Sequence, residues 1–313
     1  VSRPAVQWPD GKTFAFTVVD DTDRATLRRV APVYALLDEL GLRTTKTVWP
    51  LAFTAPARLG GDTLEDAPYR AWVLGLQERG FEIALHGATD HSSARADVGR
   101  ALDRFRDVLG RDPRIHVNHY GQREGIYWGE ARLDGVPRAI YRVAQRASRR
   151  ADRYLGHVEG SPYFWGDLCR ERIDYVRNFV FRDIDTGARD PIMPYHDPRR
   201  PYVRYWFSSS EGPDVASFCE LLSERSQDRL AERGGVCIVY THFAQGFAED
   251  GRPDRRFAAL VRRLASLPGW FVPASTLLDF LRTRPDWTPN GDPRVLARMQ
   301  RGWLASKLLH GSS

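Results

Sequence analysis

The run Phe14-Ala-Phe-Thr-Val-Val-Asp20 carries no charge until its last residue, and Asp21-Thr22-Asp23 follows at once. A stretch apolar at odd and even positions alike fits a strand covered on both faces, as in a parallel sheet flanked by helices. Its end is as informative as its body. Carboxylates crowded at one strand end repel one another unless a cation or a shared proton compensates.

The rest of the chain supplies the alternation that such a strand implies. Apolar residues at helical period over Asp23 to Leu40 predict a helix with Asp23 as N-cap and Gly41 as its stop. A strand over Thr44 to Trp49, a helix from Asp66 to Arg79 and a strand from Phe81 to Leu85 follow, the last running straight into His86. A helix over Arg95 to Leu109 then leads to the strand Ile115 to Asn118 and to His119. The middle is less regular. There we read a basic helix over Arg138 to Leu155, a helix opened by Ser161-Pro162 that runs through Cys169, and strands over Phe179 to Ile184 and Tyr202 to Phe207. A proline-rich loop, Asp190 to Pro201, separates the two strands. Regularity returns with a helix over Asp214 to Glu232, the buried strand Val236 to Tyr240, and Thr241-His242-Phe243 directly after it. A helix over Arg255 to Leu267, a strand Trp270 to Pro273 and a helix Ser275 to Leu281 complete the pattern.

Strands alternating with helices over most of the chain predict an α/β fold with a mostly parallel sheet, and the strand count favours a closed (β/α) barrel of seven or eight strands. Residues 1–290 are read as that single barrel, and residues 291–313 as an amphipathic C-terminal helix that packs on it, across the barrel bottom, or binds a partner. The expectation is positional. Asp20 and Asp21, His86, His119 and His242 all stand at carboxyl ends of strands, the face where such barrels place their chemistry.

Size and composition exclude several classes. The 313 residues, 42% hydrophobic, are enough for a large core. No run reaches the ~18 to 20 consecutive apolar residues of a membrane helix, and Val1-Ser-Arg-Pro-Ala-Val-Gln-Trp lacks a signal-peptide layout, so the chain as given reads as cytoplasmic. Cys169, Cys219 and Cys237 are widely spaced and form no Cys-x-x-Cys pair, which argues against a disulfide framework or a thiolate zinc site. The net charge is +6, but the only lysines are Lys12, Lys46 and Lys307, and the arginines are scattered among acids. Solvated helix faces explain that charge better than a nucleic-acid partner does.

Two imidazoles five residues apart in His86-Gly-Ala-Thr-Asp-His91 can converge on a cation if the loop turns, with Asp90 as an alternative second ligand. One carboxylate from the first strand completes a set of two nitrogens and one oxygen suited to zinc, nickel, cobalt or iron(II). Neighbours on a strand point to opposite faces, so one of Asp20 and Asp21 would bind metal while the other acts as base, and Asp23 is left as a helix cap. His242 can serve as the acid toward a leaving amine.

Val19-Asp-Asp-Thr22, Ile83-Ala-Leu-His86 through His91, and Ile238-Val-Tyr-Thr-His242 together resemble the motifs of the polysaccharide deacetylase (NodB-homology) carbohydrate esterases, in order and across nearly the whole chain. The resemblance implies a distorted TIM-like barrel and a deacetylase, with Asp20 as base, Asp21, His86 and His91 as metal ligands, and His242 as acid. The sequence departs from the family at three points. The second histidine comes at spacing five where the family has four, Asn118-His119-Tyr120-Gly121 with Arg123 nearby stands where an arginine-proline-glycine motif is usual, and Thr22 replaces a glycine.

Trp128, Trp165 and Trp206 are candidate stacking platforms for sugar rings, with His119, Arg123, Arg177, Asn178, His196 and Asp197 as polar contacts. The function expected is removal of an N-acyl group from a sugar or glycoconjugate intermediate with a divalent metal, zinc first. A carbohydrate-binding protein with a decayed rim and an amide hydrolase acting on a non-sugar substrate are the rivals.

Overall fold

The computed structural model describes residues 6–147 and 153–311, and in them seven parallel strands close into a barrel. β1 (Phe14–Asp20), β2 (Thr45–Val48), β3 (Glu82–Leu85), β4 (Ile115–His116), β5 (Tyr175–Phe181), β6 (Tyr205–Glu211) and β7 (Val236–Thr241) pair in chain order, and β7 returns to β1. A short antiparallel hairpin, β8 (Ala248–Glu249) with β9 (Arg252–Pro253), follows β7. β10 (Gly269–Trp270) is an eighth parallel strand beside the start of β1.

β1 is the hub of this ring. Its ladder with β7 runs from Ala15 opposite Val236 to Asp20 opposite Thr241. Its other edge is shared: β10 pairs with Phe14 and Ala15, and β2 pairs only with Val19 and Asp20. The barrel is therefore splayed between the starts of β1 and β2, with β10 wedged into the gap.

Strand alternation divides the core in two. Ala15, Val19, Ala84, Ile115, Tyr175, Phe207, Val236 and Ile238 point inward and meet Leu277, Leu278 and Leu281 of the helix Ala274–Arg282. That helix plugs the amino-terminal end of the barrel, where its Ala274 N–H donates to Thr45 Oγ1 (2.9 Å) and its Ser275 N–H to Glu82 Oε2 (3.1 Å). Phe14, Phe16, Val18, Val48, Ile83, Val176 and Val239 take the opposite parity and pack under the surrounding helices. At about 1.5–3 kcal/mol for each large side chain withdrawn from water, this two-sided burial is what holds β1 at the centre.

Several boundaries differ from the sequence reading. The first helix is Leu27–Glu39, and Asp23 does not cap it; the Leu27 N–H is taken by Asp62 Oδ2 at 2.6 Å. The Asp214 to Glu232 stretch is two helices, Val215–Leu221 and Glu224–Glu232. β5 starts four residues before the strand expected from Phe179 because Arg177 and Asn178 lie inside it, and β6 extends through Ser208, Ser209 and Ser210, which are fully buried. Ser208 and Ser210 are partnered there by Asp190 and Thr186, each at 2.7 Å. The basic helix of the middle is Gly135–Ala147, and part of the stretch expected to be helical, 148–152, lies outside the described residues. The helix expected from Ser161 begins at Gly166.

The C-terminal helix Pro293–His310 lies along the barrel wall rather than across its bottom, with the Trp303 ring packed at a tilt against Phe179 of β5 and against Tyr141, both with centroids 5.7 Å away. No helix among the described residues is long and apolar enough to cross a membrane.

Candidate active site

The inward parity of each strand, continued past its end, delivers the polar groups of the carboxyl-terminal mouth. Ala15 and Val19 lead to Asp21, Ala84 to His86, Ile115 and Val117 to His119, and Val236 and Ile238 to Tyr240 and His242. Asp20 has the other parity and faces the helix layer.

At the centre stands Asp23, in the turn after β1, which is held by the Ala25 N–H on Thr22 O (2.9 Å) and the Arg24 N–H on Gly60 O (2.8 Å). Its Oδ1 lies 2.9 Å from His119 Nε2 and 3.4 Å from His86 Nε2, and its Oδ2 lies 2.9 Å from His242 Nε2. Asp23, His86 and His119 are buried, and their ligand atoms lie within 4.8 Å of one another. Both ring nitrogens of His86, both of His119 and Asp23 Oδ1 have no hydrogen-bond partner. Buried polar atoms are rarely left so. They are close together but not aligned donor to acceptor, as ligand atoms aimed at a common point would be. Ligands bonded at ~2.0–2.1 Å around one ion lie about 3.0–3.4 Å apart, which matches the two Asp23 Oδ1 contacts. The donor set, two imidazoles and one carboxylate, fits a divalent ion of the zinc type.

The electrostatics follow from the crowding. Burial alone would raise the Asp23 carboxyl, but the charge of His86 and the contacts from His119 and His242 hold it well below the usual carboxylate range. Burial pushes the His86 imidazole down. For His242 burial acts downward too, but the hydrogen bond to Asp23 and the charges of Asp21 and Asp23 outweigh it, and the ring is raised. The geometry agrees: Nδ1 of His242 faces the Pro213 carbonyl at 2.8 Å and Nε2 faces Asp23, so a ring carrying both protons satisfies both acceptors.

Trp49, fully buried, forms a wall of the site. Its indole N–H donates to the His86 carbonyl (3.1 Å), and its ring centroid lies 6.1 Å from that of His86 and 5.9 Å from that of His119. The chain turns sharply after His86 because Gly87 adopts φ +87°, where an added Cβ would stand 2.8 Å from Gln122 Oε1.

The convergence expected of Asp21, His86 and His91 is replaced by that of Asp23, His86 and His119. Asp21 is held in a two-pronged ion pair by Arg177 (2.9 and 2.6 Å), whose guanidinium lies 4.4 Å from the centre of the Tyr240 ring. His91 turns away from the cluster, its Nε2 against the Thr54 N–H at 3.2 Å. Asp90 is closer: its Oδ2 accepts the Leu59 and Gly60 N–H groups, and its Oδ1 lies 3.9 Å from His119 Nε2. Asp20 is sealed behind the rim, with Lys46 Nζ at 3.1 Å, the Tyr34 hydroxyl at 3.0 Å and the Phe243 N–H at 2.8 Å.

Among the residues expected to bind substrate, His119 joins the central cluster and Arg177 lies beside it through Asp21. Arg123 is exposed and points to the Tyr163 hydroxyl at 3.4 Å. The tryptophans are core residues and not platforms. Trp206 has no exposed surface, Trp165 is buried with its indole N–H on the Glu124 carbonyl, and Trp128 is nearly buried with the Arg132 guanidinium 3.5 Å from its ring centre. Asn178 donates to the Tyr195 hydroxyl, His196 Nδ1 contacts the Val203 and Arg204 carbonyls, and Asp197 pairs with Arg199 and Arg200, so all three serve the fold locally.

No family model and no curated protein matches the chain. Solved structures do. A Mycobacterium smegmatis protein provisionally assigned as a polysaccharide deacetylase superposes with a TM-score of 0.56 at 15% identity, covering 94% of this chain and 98% of that one. The Puue allantoinase superposes with a TM-score of 0.54 at 13% identity, covering 91% and 96%. At these identities the likeness establishes the fold: this is the (β/α) barrel of the polysaccharide deacetylase type that the motifs at Asp20-Asp21, His86 and His242 led us to expect.

Proposed function

We propose that the chain is a metal-dependent hydrolase that removes an N-acyl group from a sugar or glycoconjugate, with Asp23, His86 and His119 as the metal ligands. The observation that carries this is the meeting of one carboxylate and two imidazoles, from three different strand ends, in a buried mouth where their facing atoms lack other partners. A divalent ion held there polarises a carbonyl oxygen and acidifies water. The chain's own groups do the rest. Asp21, oriented by both prongs of Arg177, is placed to accept the proton of the attacking water, the role that resemblance alone gave to Asp20. His242, with acceptors on both ring nitrogens, holds the proton that the leaving nitrogen needs. Trp49 and the buried rim keep bulk water from the ligands.

The burial of Trp128, Trp165 and Trp206 favours a second reading, an amide hydrolase acting on a non-sugar substrate, since sugar-stacking surfaces are missing where they were expected. The allantoinase among the structural neighbours is in keeping with it.

Elemental analysis of purified variants tests the ligand set. About one divalent ion per chain is expected in the parent and in His91→Ala, with loss of the ion in Asp23→Ala and His119→Ala. Retention in His119→Ala together with loss in His91→Ala would sink the assignment. Acetate release from N-acetylated sugars, run beside a panel of small non-sugar amides, separates the two substrate readings.

A further inference from the structure

The loop that starts at His119 ends at Trp128, and there it forms the wall of a cleft of about 440 Å³ that the proposed reaction leaves unused. Arg138, Arg142 and Arg146 line it from the helix Gly135–Ala147, together with Arg153 and Tyr154. Glu130 is the one acid among the lining residues; it accepts from Arg142 Nε at 2.8 Å and lies 3.5 Å from Arg138. Arg146 and Arg153 make no ion pair among the described residues. Among the described residues lining the cleft, four guanidinium groups thus accompany one carboxylate.

Glu130 offsets Arg138 and Arg142 only, and an anion would offset the rest. Arg138, Arg142 and Arg146 stand at i, i+4 and i+8 on one helix face, where like charges repel. The aromatic side of the cleft is built and not incidental. Tyr154 lies so close over Gly125 and Gly129 that an added Cβ would stand 2.7 Å and 2.9 Å from its ring, and its hydroxyl accepts the Gly121 N–H at 3.3 Å. The cleft wall and His119 therefore belong to one braced loop.

We propose that this cleft binds a phosphoryl group, the charged part of a phosphorylated sugar or of a diphosphate-linked glycoconjugate. Guanidinium forks match phosphate oxygens in pairs, which a single carboxylate ligand would not fully use. As an anion site the cleft stands on its own residues. As a substrate subsite it rests on the sugar-conjugate reading above.

Calorimetric titration of pyrophosphate into the full chain is the test, with Asp23→Asn run in parallel so that an anion held at the metal centre is recognised. Binding is expected in both proteins. The double variant Arg146→Gln/Arg153→Gln should weaken it by about tenfold or more, with the melting temperature and metal content unchanged, and Arg146→Lys/Arg153→Lys should keep part of the affinity. Binding that vanishes in Asp23→Asn, or that survives in the glutamine double variant, overturns the proposal. N-acetylglucosamine 1-phosphate and inorganic phosphate, titrated side by side, distinguish the sources: tighter binding of the sugar phosphate supports a substrate subsite, and equal binding overturns that part.

Discussion

Lys46 and Asp20 are both fully withdrawn from solvent, 3.1 Å apart on neighbouring strands. Burial pushes the Asp20 carboxyl up against the opposing pull of the Lys46 charge, the Phe243 N–H and the Tyr34 hydroxyl, while for Lys46 the aspartate more than offsets burial and the ammonium is raised. Phe243 follows His242 directly, so the carboxylate ties the end of β1 to the backbone that carries the proposed acid. We therefore assign Asp20 a positioning role. Lys46→Met leaves an uncompensated buried carboxylate and should cost about 3–5 kcal/mol in urea unfolding, with much of that recovered in Lys46→Met/Asp20→Asn, where no charge remains. A cost as large in the double variant as in the single one would show that the loss comes from packing and not from charge.

At the scale of elements, the shortness of β4 matters most. Only Ile115 and His116 join the ladder, and the chain leaves the sheet early to bring His119 inward. Asn118 takes over where the strand stops: its side chain accepts the Ile126 N–H (2.8 Å) and donates to the Ile126 carbonyl (3.2 Å), closing the loop as a strand partner would. Asn118→Ala should cost about 2–3 kcal/mol, since both Ile126 groups lose their partner in a buried place, and should lower the bound metal through His119. Asn118→Asp, which keeps the acceptor, should fall between. Unchanged metal content in Asn118→Ala would separate the loop from the site.

The strand ends were legible in sequence because each apolar run stops at a polar residue, and His86, His119 and His242 were all found that way. The face each residue takes was not. β1 is as apolar at Phe14, Phe16 and Val18 as at Ala15 and Val19, so nothing in it tells inside from outside, and the duties of Asp20 and Asp21 could not be read. Asp23 was missed because an aspartate ahead of an apolar helix is the ordinary capping pattern, and the residue that takes the Leu27 N–H, Asp62, is remote in sequence. His91 was over-read because spacing cannot show which way a loop turns after a glycine at positive φ.

For the whole molecule, buried titratable groups set how stability varies with pH. Burial pushes His116 down to about 3 and His157 down to about 4. The unfolded chain protonates both near their ordinary value and the folded chain resists, so their contribution is complete above ~6.5 and is lost as pH falls toward the folded values. Asp23, held low by its histidines, acts in the same sense: its contribution is present above the ordinary carboxylate range and lost below it. Glu124 opposes them. Burial raises its carboxyl to about 7, so the folded chain keeps a proton that the unfolded chain gives up near ~4.3, and stability is lost as pH rises between the two. His86, lowered by burial, acts with the other two histidines, while Glu82 and Asp20, raised by burial, and His242, raised by Asp23, act with Glu124, so the share of Glu124 is a decline in stability that ends near its folded value of about 7. Glu124→Gln, which fixes the neutral form, should remove that decline and stabilise the protein at pH 8 by on the order of 3 kcal/mol relative to its effect at pH 4. Denaturant midpoints of parent and variant across pH 4 to 8 measure the difference, and parallel curves would show that Glu124 titrates normally in the folded chain.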